Sequence, residues 1–137
     1  MTAFELTPIG RVESSLTSVE AAPRQADEGA PDAWLVFEAD VREALRGLRV
    51  GQRVVVITWF DRARRNVLSI HPRGDSSRPT EGVFNTRSPH RPNPIGLHEV
   101  EITAIDNLRV QVRSLEAIDG TPIVDLKPVL DEDISKR

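Results

Sequence analysis

GLHEVEITAIDNLRVQVRSLEAI, residues 96 to 118, carries the clearest fold signal in this chain. Its first arm places Leu97, Val100, Ile102 and Ala104 in near alternation with one shift of phase. Asp106 and Asn107 can turn the chain, and Leu108, Val110 and Val112 then share a face. A period of two on both sides of a polar turn predicts a β-hairpin, because only a pleated strand sends every second side chain to the same face.

The rest of the chain fits around such a hairpin. RVVVITWF (53–60) is β-branched and apolar, as a central strand requires, and NVLSI (66–70) follows a basic turn, so the two are expected to pair as a hairpin. WLVFEA (34–39) reads as a buried strand and GVFNT (82–86) as a short one. FELTPIGRVES (4–14) reads as a first strand bent at Pro8, which cannot donate to a ladder. Asp119-Gly120 marks a turn before a last strand over 123–129, and an acidic tail expected to fray follows. DVREALRGL (40–48) predicts one helix of about two turns, with Asp40 and Glu43 at capping-box spacing and Gly47 as its stop. Residues 17–33 lack periodicity and predict a long loop of functional or disordered kind. Six to eight short strands with one short helix make the fold mainly β, a barrel or a sandwich.

The 137 residues suit one domain, residues 1–137, with a hydrophobic core large enough to need neither disulfide nor metal. The start, MTAFELTPIGRVES, shows neither a basic leader nor an apolar signal core, and there is no cysteine, so a cytoplasmic location is expected. No apolar run reaches the roughly 20 residues that span a bilayer. Three histidines without H-x-x-x-H spacing argue against zinc, and no G-x-S-x-G elbow, Walker loop or GxGxxG is present. Net charge is -3, but residues 61–91 hold seven arginines against three acids, a local +4 that leaves -7 elsewhere. Arginine's planar fork suits carboxylate, phosphate and base edges, whereas the plainer account of these charges is a solvated face.

That basic region ends in NTRSPHRPNPIGL (85–97). Its three prolines fix their own φ and bias Ser88, Arg91 and Asn93 toward extended conformations. The strap is therefore stiff before it meets anything. It can hold Arg87, His90, Arg91 and Asn93 at defined angles for a ligand, or serve only as a rigid connector. Other polar spots have the same two readings. Arg73 in HPRGD (71–75) could meet phosphate or carboxylate, or merely sit in a turn. DGTP (119–122) could be a site or a tight turn, and Asp125 and Lys127 share a face of the last strand where they can pair. Residues and spacing alone thus describe a β-rich enzyme or binding module.

GVFNTRSPHRPNPIGL (82–97), followed by DGTPIVDLKP (119–128), resembles the two signature segments of the TsaA-like family, which includes the tRNA methyltransferase O enzymes. PRQ (23–25) and HPRGD fit the family's order as well, so the resemblance spans essentially the whole chain. It implies a small β-barrel, and a homodimer with its cofactor near the subunit interface. It further implies methyl transfer from S-adenosylmethionine to N6 of threonylcarbamoyladenosine beside the tRNA anticodon, without metal or membrane. Cofactor contacts are implied at Pro23, Arg24, Gln25, Phe60, Asp61, Arg87, Leu97, Asp119, Gly120, Thr121 and Pro122. Asp125 or Asp119 is expected to accept the proton from the substrate nitrogen, and Arg73, His90, Arg91, Asn93 and Lys127 to meet the substrate. The chain departs from the family at Val129, where tyrosine is common, at Asn85 in place of alanine, and at Phe60-Asp61, where some relatives have a histidine-containing pair. The alternative is a barrel that binds S-adenosylmethionine as a sensor or acts on a small molecule. A third reading is a nucleic-acid-binding barrel with no cofactor.

Overall fold

The computed structural model describes residues 2–17 and 29–130. The strands are β1 (Gly10–Glu13), β2 (Ala33–Phe37), β3 (Arg53–Trp59), β4 (Ser69–Ile70), β5 (Glu81–Gly82), β6 (Ile95–Asp106), β7 (Arg109–Val112) and β8 (Pro122–Pro128). Six of them close into an antiparallel ring in the order β1-β2-β7-β6-β3-β8, with β8 returning to β1, while β4 and β5 form a separate two-stranded sheet. Closure leaves none of the six strands with an unpaired edge. Gly10 lies where β1 meets β2: a Cβ there would come within 2.5 Å of the Val36 carbonyl oxygen.

The ring encloses Val12, Leu35, Phe37, Val54, Val56, Val100, Ile102, Val110, Val112, Leu115 and Ile123. Full burial of each such side chain contributes about 1.5–3 kcal/mol, before the opposing entropy of ordering the chain. The pattern follows parity: in β3 the even residues 54, 56 and 58 point in, and in β6 the even residues 96 to 102 do so. Among the described residues, no helix is long and apolar enough to cross a membrane.

The expected hairpin at residues 96–118 is present as β6 and β7, turning at Asn107 in the left-handed region (φ 57°), but β7 stops at Val112. Its phase shift resolves against Leu97, which faces outward while His98 takes the inward place. The expected pairing of 53–60 with 66–70 does not occur. Both sides of β3 are occupied by β6 and β8, so the chain leaves the ring after Trp59 and β4 pairs with β5. The first strand is shorter than 4–14: Ile9 N–H still bonds the Ile123 carbonyl at 2.9 Å, and Pro8, having no N–H, ends the ladder. Only Glu81 and Gly82 mark a strand near 82–86, because Val83–Asn85 forms a 3-10 turn whose Val83 carbonyl accepts from both the N–H and the hydroxyl of Thr86.

The predicted helix exists as a 3-10 helix, Ala39–Leu45, and no capping box forms at Asp40. Glu38 is its N-cap and makes no side-chain cap bond; its own N–H goes instead to the Ile9 carbonyl at 2.9 Å. Bonds from Val41 to Glu38 and from Arg46 to Glu43 keep the tighter i→i+3 pattern, and Gly47 (φ 99°) lets the chain turn away.

Candidate functional site

Strand register gathers several distant segments on one rim of the ring. Thr58 pairs with Gly96 on β6 and with Ile123 on β8, Trp59 pairs with Ile95, and Arg11 pairs with Pro122. The end of β3, the starts of β6 and β8 and the end of β1 therefore meet there. Phe60 and Asp61, the proline strap and residues 119–122 all leave from this rim. Pro23, Arg24 and Gln25 lie outside the described residues.

Local bonds fix the strap. Arg91 Nη1 donates to the carbonyls of Thr86 and Ser88, both at 3.0 Å. Arg65 donates from Nε to the Pro92 carbonyl (2.7 Å) and from Nη2 to Asn93 Oδ1 (2.9 Å), with its guanidinium 5.1 Å from the Trp59 ring centroid. His90 Nδ1 accepts the Arg64 N–H at 3.0 Å, and burial and then the Arg64 charge hold its pKa below the usual histidine value. His90, Arg91 and Asn93, three of the expected substrate contacts, thus hold the strap's shape. Arg87 Nη2 donates to the Leu97 carbonyl at 2.9 Å, which joins two of the expected cofactor residues.

Beneath the strap, inside the ring, lies a polar cluster. Thr58 Oγ1 and His98 Nε2 are 2.8 Å apart and buried, and the Phe60 ring meets His98 edge-on with centroids 5.6 Å apart. His98 Nδ1 is 3.9 Å from Glu116 Oε1, beyond hydrogen-bond range but close enough for the carboxylate to favour the Nδ1–H tautomer, with the Thr58 hydroxyl donating to Nε2. Desolvation first, and then the nearby Arg87 charge, push the His98 pKa down to about 4, so the ring is neutral at pH 7. Gly96 completes the fit: a Cβ there would come within 2.5 Å of Thr58 Oγ1 and 2.6 Å of the Phe60 ring. Sequence reading singled out neither Thr58, His98, Gly96 nor Glu116 as a site residue. The available signal was a histidine at inward parity within an apolar strand.

The turn at 119–122 is tied to β1 and the segment after it. Asp119 Oδ1 accepts the Ser14 N–H (3.0 Å), the Gly120 N–H reaches the Val12 carbonyl (2.7 Å), and the Thr121 hydroxyl bonds the Ile118 carbonyl (2.7 Å). Asp119 therefore bonds backbone distant in sequence. The expected pair on β8 forms, with Lys127 Nζ 3.5 Å from Asp125 Oδ2. Both lie beside a groove of about 690 Å³ under residues 41–49. Asp125 also belongs to an outward row with Ile57 and Leu97, because Ile57 pairs with each of them. Arg73 is exposed, in the left-handed region (φ 54°), on the turn after β4. Among the described residues, no group of three or more histidine, aspartate or glutamate side chains could hold a metal ion.

Residues 11–133 match the model of the tRNA-methyltransferase O N-terminal domain. The chain belongs to the tRNA-methyltransferase O N-terminal domain family. An S-adenosyl-L-methionine-binding protein of Archaeoglobus fulgidus is 38% identical over 122 residues, covering 89% of this chain and 86% of that one. A second, probable S-adenosyl-L-methionine-binding protein of the same organism is 36% identical over 93% of this chain, which spans only 34% of its length. The crystal structure of TrmO from Pseudomonas aeruginosa superposes with a TM-score of 0.74 at 30% identity, over 94% of this chain and 57% of that one. The tRNA-methyltransferase O relationship thus covers the ring and every described segment on its rim.

Proposed function

We propose that this chain is an S-adenosylmethionine-dependent methyltransferase of tRNA, acting on N6 of threonylcarbamoyladenosine, as a cytoplasmic homodimer. The observation that carries the reading is the convergence of Phe60, Asp61, Arg87, Leu97 and residues 119–122 on one rim of a ring belonging to this family. Those residues fit the cofactor chemically. The Arg87 guanidinium suits a carboxylate, Leu97 is 48% exposed and supplies an apolar wall, and Gly96 leaves Phe60 seated where a Cβ would displace it. Bound S-adenosylmethionine would supply an electrophilic methyl group, the sulfonium C–S bond giving way to leave a neutral thioether. The chain's part is to hold that methyl in line with the acceptor nitrogen and to take one proton from it, so that the new C–N bond leaves no net charge on nitrogen. We assign proton acceptance to Asp125 because it stands half-exposed on the row with Leu97; Asp125 Oδ1 accepts the Leu126 N–H and Asp119 Oδ1 the Ser14 N–H, so position and not hydrogen bonding separates the two. Titration calorimetry with S-adenosylmethionine tests the cofactor, and nucleoside analysis of tRNA from cells lacking the protein tests the substrate. An unchanged methylated threonylcarbamoyladenosine peak would sink the tRNA-methyltransferase reading.

The second reading, an S-adenosylmethionine-binding sensor or a methyltransferase of small molecules, draws support from the internal bonding of His90, Arg91 and Asn93. Val129 also supports it, standing where tyrosine is common. Val129 N–H bonds the Arg53 carbonyl at the opposite rim.

A further inference from the structure

Residues 61–94 leave the ring after β3 and return at β6, carrying β4, β5 and the seven arginines. Two large apolar side chains stand exposed on this excursion, Phe84 at 82% and Leu68 at 70%. Their stretches of backbone are adjacent, since the Val83 N–H bonds the Leu68 carbonyl at 2.9 Å. Six of the seven arginines, all but Arg73, fall into two groups. Arg65, Arg87 and Arg91 are occupied in holding the strap and its junction with β6. Arg62, Arg64 and Arg78 are exposed, and their guanidinium groups make no hydrogen bond or ion pair among the described residues. Arg78 nevertheless has a defined place: the His71 Nδ1–H donates to its carbonyl at 2.7 Å, and Asp75 braces the intervening loop through Ser77. Hydrogen bonds to Ser77 hold the Asp75 carboxyl below the usual carboxylate range, so the brace persists in mild acid.

We propose that this excursion binds single-stranded RNA by stacking an unpaired base on Phe84 while Arg62, Arg64 and Arg78 hold the flanking phosphates. The inference rests on the tRNA reading above and assigns the contact to residues outside the cofactor rim. An exposed aromatic side chain on the segment that also carries exposed, unpaired cations fits a splayed nucleotide, whose base offers a π-face and whose backbone is anionic. An A-form duplex keeps its base faces stacked and offers Phe84 nothing. Charge points to the same partner: residues 61–91 carry +4 and the remainder of the chain -7, so an anionic strand is drawn to this segment and repelled from the rest.

Fluorescence anisotropy with the full chain, a labelled unstructured RNA of about ten nucleotides, and the same RNA annealed to its complement tests the proposal. The single strand is expected to bind more tightly. Phe84→Ala should weaken it roughly 5- to 150-fold, with Phe84→Trp restoring affinity and calorimetric S-adenosylmethionine binding unchanged. Arg62→Gln and Arg78→Gln should each lower the slope of log affinity against log salt by about 0.7. Equal RNA affinity for Phe84→Ala and wild type would overturn the proposal. If the same variant changes the mass in sedimentation with RNA affinity intact, the face belongs to a second copy, and the proposal fails. Phe84-dependent RNA binding without methyl transfer would sink the enzyme reading and leave this surface standing.

Discussion

Thr58 Oγ1 sits 2.8 Å from His98 Nε2, diagonally across the β3–β6 pair and wholly inside the ring. The bond lies directly under Gly96 and Phe60, so the polar interior and the rim that carries the candidate site form one packed unit.

Thr58→Val keeps the shape of the side chain and removes its hydroxyl. His98 Nε2 then stays buried without that partner, at an expected cost of about 1–3 kcal/mol. Urea denaturation should show a lower midpoint at unchanged slope, and Thr58→Ser should recover most of the loss.

Acid should weaken the fold through His98. The unfolded imidazole titrates near 6.5, whereas the folded one titrates at about 4. Between those values the unfolded state binds more protons, so stability falls as pH drops through this window and is unaffected by His98 above it. A shift of this size is worth about 3 kcal/mol by pH 4. Thermal unfolding of wild type and His98→Gln at intervals from pH 7 to pH 5 checks this, because the variant should lack the histidine share of the slope.

Gly96→Ala should destabilise by about 1–3 kcal/mol through overpacking, since the new methyl would drive into the Phe60 ring and Thr58. Phe60 has to move to relieve it. Cofactor affinity should therefore fall along with the denaturation midpoint, and calorimetry on the folded variant reads that second effect.

Arg87→Ala should cost S-adenosylmethionine affinity by roughly 10- to 150-fold, the value of a hydrogen bond to a charged group. Asp125→Asn should lower turnover with little change in cofactor affinity. The opposite split, affinity lost and turnover kept, would move the proton-accepting role away from Asp125.

The β6–β7 hairpin was legible because alternation on both arms and a polar turn are local properties. With its inward face left open by the all-apolar run Val54 to Ile57, β3 was legible as a strand only. Pairing of β3 was not: local pattern suggested its neighbour in sequence, while ring closure assigned β6 and β8 and left β4 to β5. The strap's stiffness could be read from Pro89, Pro92 and Pro94, and Arg91 bonds only its near neighbours Thr86 and Ser88, whereas the assignment of Asn93 and His90 to holding it depends on Arg65 and the Arg64 backbone more than 20 residues earlier.

By itself the sequence determined a mainly β chain, where most of its strands begin, a stiff basic strap and the family to which its signature segments belong. These follow from periodicity, proline geometry and residue order, all of which act within a few positions. Only the tertiary structure decided that His98 fills a core position while Leu97 faces out, that residues 58–61, 95–97 and 119–122 share a rim, and that Asp125 stands apart from Asp119. The physical reason is closure: once every strand of the ring must pair on both sides, register fixes which distant side chains meet, and no local pattern encodes that requirement.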